Sequence, residues 1–370
     1  MNFSYWELKE WFTNVDFTIV GSGIVGLNCA LTLKKKHPTA TILVLEKGML
    51  PQGASSKNAG FACFGSLSEL VDDLKTHTEE EVFDLVKKRW EGLQLLRKTL
   101  GDKNIDFQQN KGYELFLNKE LFEECASKKN QINKLIAPVF KQDVFSESEN
   151  VFNFQKIQPI YSVNQFEGQI DTGKMMAQLL LKAQKAGVKI LNNIAVESYT
   201  EQNDRVSVKT NQIAFTTNKL FIATNGFAKQ LLQENVQPAR AQVLITKPIK
   251  NLQVKGTFHL DKGYYYFRNV GDRILFGGGR NLDFKGEETA EFGETELIQN
   301  QLKTILQETI LPNTKFEIAH SWSGIMGVGN QKKAIVKPIS THVYCGVRLG
   351  GMGVAIGSLV GKELAELLNN

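Results

Sequence analysis

Apolar residues arrive along this chain in two rhythms, and the switch between them recurs from one end to the other. Phe17-Thr-Ile-Val20 is a short apolar run closed by glycine, and Thr41-Ile-Leu-Val-Leu45 is another. Short apolar runs bounded by turn residues predict strands buried on both faces, as in parallel sheets. Between them, Gly26 to Lys36 keeps helical spacing until His37-Pro38 stops it, because proline lacks an N–H and restricts the residue before it. A strand–helix–strand unit therefore opens the chain.

Further on, residues 4–12 aside as a short amphipathic lead-in helix anchored by Trp6 and Trp11, helical spacing runs from Ser66 to about Thr99 through Leu70, Leu74, Val82, Leu85 and Leu93. The stretch 107–153 is mixed, with a strand-like Gly112–Leu117. Asp171 to Lys185 predicts a helix and Val188–Leu191 a strand; Val206–Lys209, Ile213–Phe215 and Lys219–Ala223 read as successive strands. Ala241 to Arg280 is aromatic and β-branched with no long helix signal, and Val354 to Leu368 predicts a closing helix. Alternation at both ends around a strand-rich middle predicts an α/β fold. A Rossmann-like dinucleotide domain (1–100, 160–228 and 318–370) would carry an inserted antiparallel β-sheet substrate domain (101–159 and 229–317).

Composition narrows the function classes. The 370 residues, 42% hydrophobic and 22% charged, suffice for two joined domains with a sizeable core. The net charge of +5 is scattered over helix-face runs such as Leu33-Lys-Lys-Lys36, not gathered into a stripe, so nucleic acid is not an expected partner. No apolar run approaches the ~20 residues of a membrane span, and Met1–Glu10 carries charges where a secretory signal would be apolar. Cys29, Cys63, Cys125 and Cys345 are widely separated, with no Cys-x-x-Cys pair, and the histidines show no ligand spacing. That pattern gives neither a metal site nor a disulfide framework and suits a reducing compartment. The expectation is a cytoplasmic protein without membrane partners.

The chemistry lies in glycine-rich segments at opposite ends of the chain. Gly21-x-Gly23-x-x-Gly26 follows a strand and opens a helix. Gly21 permits the tight turn, Gly23 the approach of a pyrophosphate, and Gly26 close packing of helix on strand. Ile24 and Val25 supply N–H groups at the helix start, where unpaired donors and partial positive charge attract phosphate. Glu46, 20 residues after Gly26 at the end of the next strand, stands where an acid hydrogen-bonds a ribose hydroxyl, and its charge argues against a 2′-phosphate. The triplet alone does not choose between NAD and FAD. Gly53-Ala-Ser-Ser-Lys-Asn-Ala-Gly60 follows almost at once, with small and hydroxyl-bearing residues that let the chain pass close to a phosphate and a flavin ring. At the far end, Gly346-Val-Arg-Leu-Gly-Gly-Met-Gly353 runs into the last helix. FAD fits both ends best.

Here the sequence resembles the D-amino-acid-oxidase-like flavoprotein superfamily, which includes glycine and sarcosine oxidases. The resemblance is nearly chain-long. Asp16–Gly26 with Glu46 and Lys47 is similar to its first FAD motif, and Gly53–Gly60, with Ser55, Ser56, Asn58, Ala59 and Gly60, to its second. Val196 stands at the family's adenine contact, and Thr224, Asn225 and Gly226 at its small-residue turn beside FAD. Ala239–Thr246 resembles the strand that opens the substrate region, and Tyr264–Arg268 with Ile274–Arg280 the hairpin after it. Ser321-Trp-Ser-Gly324 and the stretch around Arg348, Gly351, Met352, Gly353, Val354 and Ala355 match the closing flavin segments.

The resemblance implies oxidation of a C–N bond of a small amine or amino acid by hydride transfer to flavin N5, giving an imine that hydrolyses, with oxygen or another electron acceptor. Tyr264, Tyr266, Arg268 and Trp322 are the candidate catalytic or substrate residues; period-two alternation puts the first three on one face. The chain also departs from the family. Ile325 follows Gly324 where several members carry a carboxylate-clamping arginine. No lysine lies in Arg273–Gly277, where the sarcosine-oxidase branch activates oxygen. No cysteine lies between Cys125 and Cys345, so noncovalent FAD is expected. An α-hydroxy-acid dehydrogenase and a non-catalytic flavin-binding protein are the alternatives, and the oligomeric state stays open.

Overall fold

The computed structural model describes residues 2–369. Its first sheet has eight strands. The path across it runs Ile335–Pro338, Val343–Val347, Ala214–Ile222, Val15–Val20, Ile42–Leu45, Lys189–Leu191, and a hairpin of Val196–Gln202 and Arg205–Thr210 joins Ala214–Ile222 at its side. Val15–Val20 pairs in parallel with both neighbours, Val20 lying opposite Leu45 on one side and Ile222 on the other. This is the sheet expected from the two apolar runs, and Ile19, Ile42, Leu43 and Val44 are fully buried. Ile24–Lys36, Glu79–Leu100, Thr172–Lys185 and Gly353–Glu366 contribute Leu27, Leu33, Leu93, Leu96, Leu179 and Leu364 to the core on one face. The closing helix sits very near its neighbours: a Cβ on Gly361 would meet the Val25 carbonyl at 2.5 Å, and one on Gly92 the Ala355 carbonyl at 2.3 Å.

The second sheet also has eight strands, in the order Ile318–Val328, Gln237–Thr246, Arg273–Gly278, Tyr265–Val270, Thr257–Leu260, Gly112–Leu115, Ile160–Asn164, Phe145–Glu149. It is antiparallel except where Thr257–Leu260 meets Gly112–Leu115. One face buries Phe258, Phe267 and Phe276 against Ile298, Leu302 and Ile305 of the helix Glu296–Ile305. Period-two alternation sends His259 and Tyr266 to the other face, toward the first sheet. The boundaries expected from sequence place Ile160–Asn164 and Ile318–Val328 with the cofactor region, whereas both run in this second sheet.

Other differences have local causes. The helix expected from Ser66 to Thr99 is two helices, Leu67–Asp73 and Glu79–Leu100, because Thr78 caps the second through a reciprocal bond with Glu81. Ile213–Phe215 and Lys219–Ala223 form one strand, Ala214–Ile222. The mixed stretch holds a helix, Lys119–Phe140, whose buried side is Cys125, Ile132, Ile136 and Phe140. In the lead-in helix Trp11 packs against the core, but Trp6 is 70% exposed and anchors nothing. Among the described residues no helix is long and apolar enough to cross a membrane.

Candidate active site

Between the C-terminal ends of the first sheet's parallel strands and the polar face of the second lies a cleft of about 610 Å³. A strand-end crevice is where open α/β sheets bind cofactors. Gly21 adopts φ +104, and a Cβ there would meet the Ala223 carbonyl at 2.9 Å; on Gly26 it would lie 1.9 Å from the Gly21 carbonyl. Only glycine closes this turn. Two helices, Ile24–Lys36 and Gly353–Glu366, begin at the cleft without a side-chain cap from Gly23 or Met352. The Ile24 N–H finds the Ser55 hydroxyl at 3.0 Å, and Gly350 and Gly351 turn the chain into the second helix with positive φ. Two helix N-termini facing one cleft suit an anionic pyrophosphate and the electron-rich edge of a flavin.

Glu46 lines the cleft and holds its rim in shape. Its Oε2 accepts from Ser22 N (3.1 Å) and Oγ (2.8 Å), and its Oε1 from Gly48 N (3.1 Å) and Gln52 N (3.4 Å). The long Gln52 contact is the one a ribose hydroxyl can replace. The Lys47 ammonium lies 3.5 Å from the Phe227 ring centroid, and partial burial holds its pKa below the usual lysine range.

Most residues singled out from sequence meet here. Gly21, Gly23, Ile24, Val25, Glu46, Lys47, Ser55, Asn58, Ala59 and Val196 line the cleft. Thr224, Asn225, Gly324, Gly351, Met352, Gly353, Val354, Ala355, Tyr264 and Tyr266 line it too. Asn58 also folds its own loop, donating to Ala54 and Ser55 carbonyls and accepting from Gly60 N and Thr172 Oγ1. Burial pushes the Tyr266 phenol up to about 12, so it stays a proton donor.

Seven sit behind the lining. Gly26 serves helix packing, and Ser56 donates to the Pro51 carbonyl. Gly60 (φ +75) lets the Ile170 carbonyl approach, and Gly226 does the same for Met326. Arg348 grips the Lys333 and Asn235 carbonyls. Trp322 donates to the Lys57 carbonyl at 2.9 Å and stacks on His320. Arg268 shares the face of Tyr264 and Tyr266 as expected, yet it lies buried beyond the cleft, donating to the carbonyls of Ala59, Asn269 and Ile170. With its guanidinium so engaged, it braces the flavin-side loop and does not reach a substrate. Burial lowers its pKa to about 10.

Sequence reasoning passed over Arg280 and His259. Arg280 follows the strand Arg273–Gly278, lines the cleft, and lies 4.8 Å over the Phe284 ring. Its guanidinium makes no hydrogen bond or ion pair with the described residues, and burial lowers its pKa. Lys262, also in the lining, is neutralised by Asp72 at 2.8 Å. His259 carries Glu167 at 2.5 Å on Nε2; with Cys63 these groups lie within 4.8 Å of one another, and burial pushes the Cys63 thiol up. The available signal was parity: His259 lies between Phe258 and Leu260 on a short strand and faces the side opposite to both.

A glycine-turn sheet and a β-platform enclosing a cleft with two open helix starts define an oxidoreductase built around a dinucleotide cofactor. Residues 16–367 match the family described as FAD dependent oxidoreductase (DAO), and the chain belongs to that family, whose cofactor is FAD. It is 21% identical to the probable oxidoreductase OrdL of Haemophilus influenzae, over 96% of this chain and 83% of that one. Among solved structures it is similar to glycine oxidase from Geobacillus kaustophilus (17% identity, TM-score 0.76, 96% and 94% of the two chains). It is also similar to L-proline dehydrogenase from P. horikoshii (19% identity, TM-score 0.72, 96% and 93% of the two chains). At these identities the solved structures share the fold.

Proposed function

We propose that this protein oxidises a carbon–nitrogen bond of a small amine that also carries an anionic group, as an amino acid does. The observation that carries this reading is Arg280, a guanidinium in the cleft lining that stacks on Phe284 and has no hydrogen-bond or salt-bridge partner among the described residues. Glu287 and Glu288 act on it only at a distance, Glu287 being bound to Arg240. A partly desolvated cation with no ion pair of its own favours an anionic ligand, and a guanidinium fork matches a carboxylate bidentately. Arg280 thereby answers the missing arginine after Gly324. When bound, FAD supplies the two-electron acceptor that takes a hydride at N5 from the carbon beside the nitrogen, leaving an imine that water hydrolyses. Tyr266 offers a phenol that remains protonated, and Tyr264, edge-on to Phe284 at 5.7 Å, walls the side of the cleft where Arg280 lies. FAD is held noncovalently in this reading, because Cys63, the cysteine in the lining, has its thiol pushed away from the thiolate form.

The test is anaerobic absorbance of the FAD-loaded protein against amines, amino acids and hydroxy acids. Amines with a carboxylate should bleach the flavin band at concentrations ~10–100-fold below matched amines lacking it, the weight of a charge-assisted hydrogen-bond pair. Readmitting air then tests oxygen as acceptor. Bleaching by hydroxy acids alone would sink the amine reading, and bleaching by nothing would point to a flavin binder without turnover.

A further inference from the structure

A row of polar side chains crosses the middle of the second sheet. Cross-strand pairing sets Ser162 opposite Glu114, Glu114 opposite His259, and His259 opposite Tyr266. Directly opposed residues share a face. Ser162, Glu114 and His259 are buried, and His259 and Tyr266 line the cleft. Glu167, wholly buried, brings Oε1 to 2.5 Å from His259 Nε2. Beside this pair is a second, small cavity of about 10 Å³, lined by Ser162, Asn164, Glu114, Glu167 and His259 among others. Three of those residues carry buried atoms with no protein partner: Ser162 Oγ, Asn164 Nδ2 and Glu167 Oε2. Three unpaired polar atoms around one small space are costly unless something bridges them, and a space of this size admits one water.

We propose that His259, oriented by Glu167 and by one internal water on Glu167 Oε2, is the proton acceptor for the ammonium form of the substrate. This rests on the amine reading above. An ammonium nitrogen has no lone pair to push hydride off the neighbouring carbon, so the reactive form must be the neutral amine. With Nε2–H donated to Glu167, a neutral imidazole presents the Nδ1 lone pair, and Nδ1 makes no hydrogen bond to the described residues. One substrate N–H bond breaks, an N–H bond forms at Nδ1, and the electron pair stays on the substrate nitrogen. No oxidant enters this step.

The surroundings set a suitable strength. The carboxylates of Glu167, Glu69 and Glu114 all act on His259, Cys63 lies within the same 4.8 Å cluster as Glu167, and Tyr266 is its cross-strand neighbour. Burial pulls the imidazole pKa down, and the carboxylates, Glu167 foremost, more than offset it, lifting it to about 9. That lies within the range of amines, about 8–10, so proton exchange is nearly balanced.

Two measurements on the FAD-loaded protein test this: NMR titration of the His259 imidazole, and the pH profile of kcat with an amine that bleaches the flavin. The wild-type imidazole should titrate near 9, with an ascending limb of kcat at the same pH. In Glu167→Gln both should move below the ordinary histidine value of about 6.5, since burial then acts without its nearest counter-charge. His259→Gln should lose the limb and about 100-fold in kcat. A folded, flavin-loaded His259→Gln that keeps both overturns the proposal. Should that variant fail to fold, an unmoved limb in Glu167→Gln overturns it alone. Amine bleaching with an unmoved limb removes only this proposal, whereas no bleaching by any amine removes the amine reading with it.

Discussion

At the pyrophosphate end of the cleft the lining is largely backbone: Gly21, Gly23 and the first N–H groups of the helix Ile24–Lys36. At the opposite end it is side chains, namely His259, Tyr264, Tyr266 and Arg280, delivered by neighbouring strands and by the turns between and after them. A phosphate read by backbone demands particular glycines in a fixed local spacing, because only they permit the turn. A substrate read by side chains demands only that a few groups converge, and many sequences achieve that. The first kind of site is written in consecutive residues, and the second in cross-strand register.

The sharpest way to break this comparison is at Gly26. Gly26→Val places a branched side chain where even a Cβ would lie 1.9 Å from the Gly21 carbonyl, so the turn and the helix cannot both survive. The expected outcome is protein purified without yellow colour, checked by absorbance near the flavin band. Retained FAD would show that the backbone end is not what holds the cofactor.

Arg280→Ala attacks the other end and should separate the two. FAD stays bound with an unchanged spectrum, while the substrate concentration for half-bleaching rises ~10–100-fold, the loss of a charge-assisted pair. Amines without a carboxylate should be affected little. An equal loss for both kinds of amine would return Arg280 to general packing.

The contrast also explains what could be read in advance. Gly21, Gly23, Glu46 and the strand–helix–strand unit were legible because each rests on local spacing, and the structure brings them together at one cleft. Arg268 and Arg280 show where legibility ends. Parity puts Arg268 on the face of Tyr266, and it is there, but parity says nothing about depth along a strand. Arg268 falls past the cleft, under Ala59 and Ile170, while Arg280, outside the strand altogether, reaches it. The Glu114–His259 pairing joins residues far apart in the chain through a parallel register that no short window contains. The helix Lys119–Phe140 carries Pro138 inside it, a residue that reads as a helix stop in the sequence.

Arg268→Ala tests that distinction between depth and face. Three carbonyls lose their donor in a buried place, which should cost about 1–3 kcal/mol of stability, seen as a lower Tm. KM for substrate should stay within about twofold. A raised KM at unchanged Tm would restore Arg268 as a substrate contact and blur the division between the two ends.

The smallest expected effect carries the finest information, because its sign decides. Ser55 Oγ accepts the Ile24 N–H at 3.0 Å, so in the protein alone it does for that helix start what a phosphate oxygen does when FAD is present. A hydroxyl also has a proton to give. If Ser55 merely stands in for phosphate, Ser55→Ala weakens only the cofactor-free protein, by about 1 kcal/mol as for a lost cap, and FAD binds more tightly by ~5-fold. If the hydroxyl turns its proton to the phosphate, the variant loses a hydrogen bond in the complex, and FAD binds ~5-fold more weakly. The second outcome is expected, since the loop Gly53–Gly60 that carries Ser55 is held against the cleft by Asn58 and Thr172 whether or not Ile24 needs a partner. Isothermal titration of cofactor-free protein with FAD distinguishes the two, and a tighter complex would confine recognition at this end of the cleft to backbone.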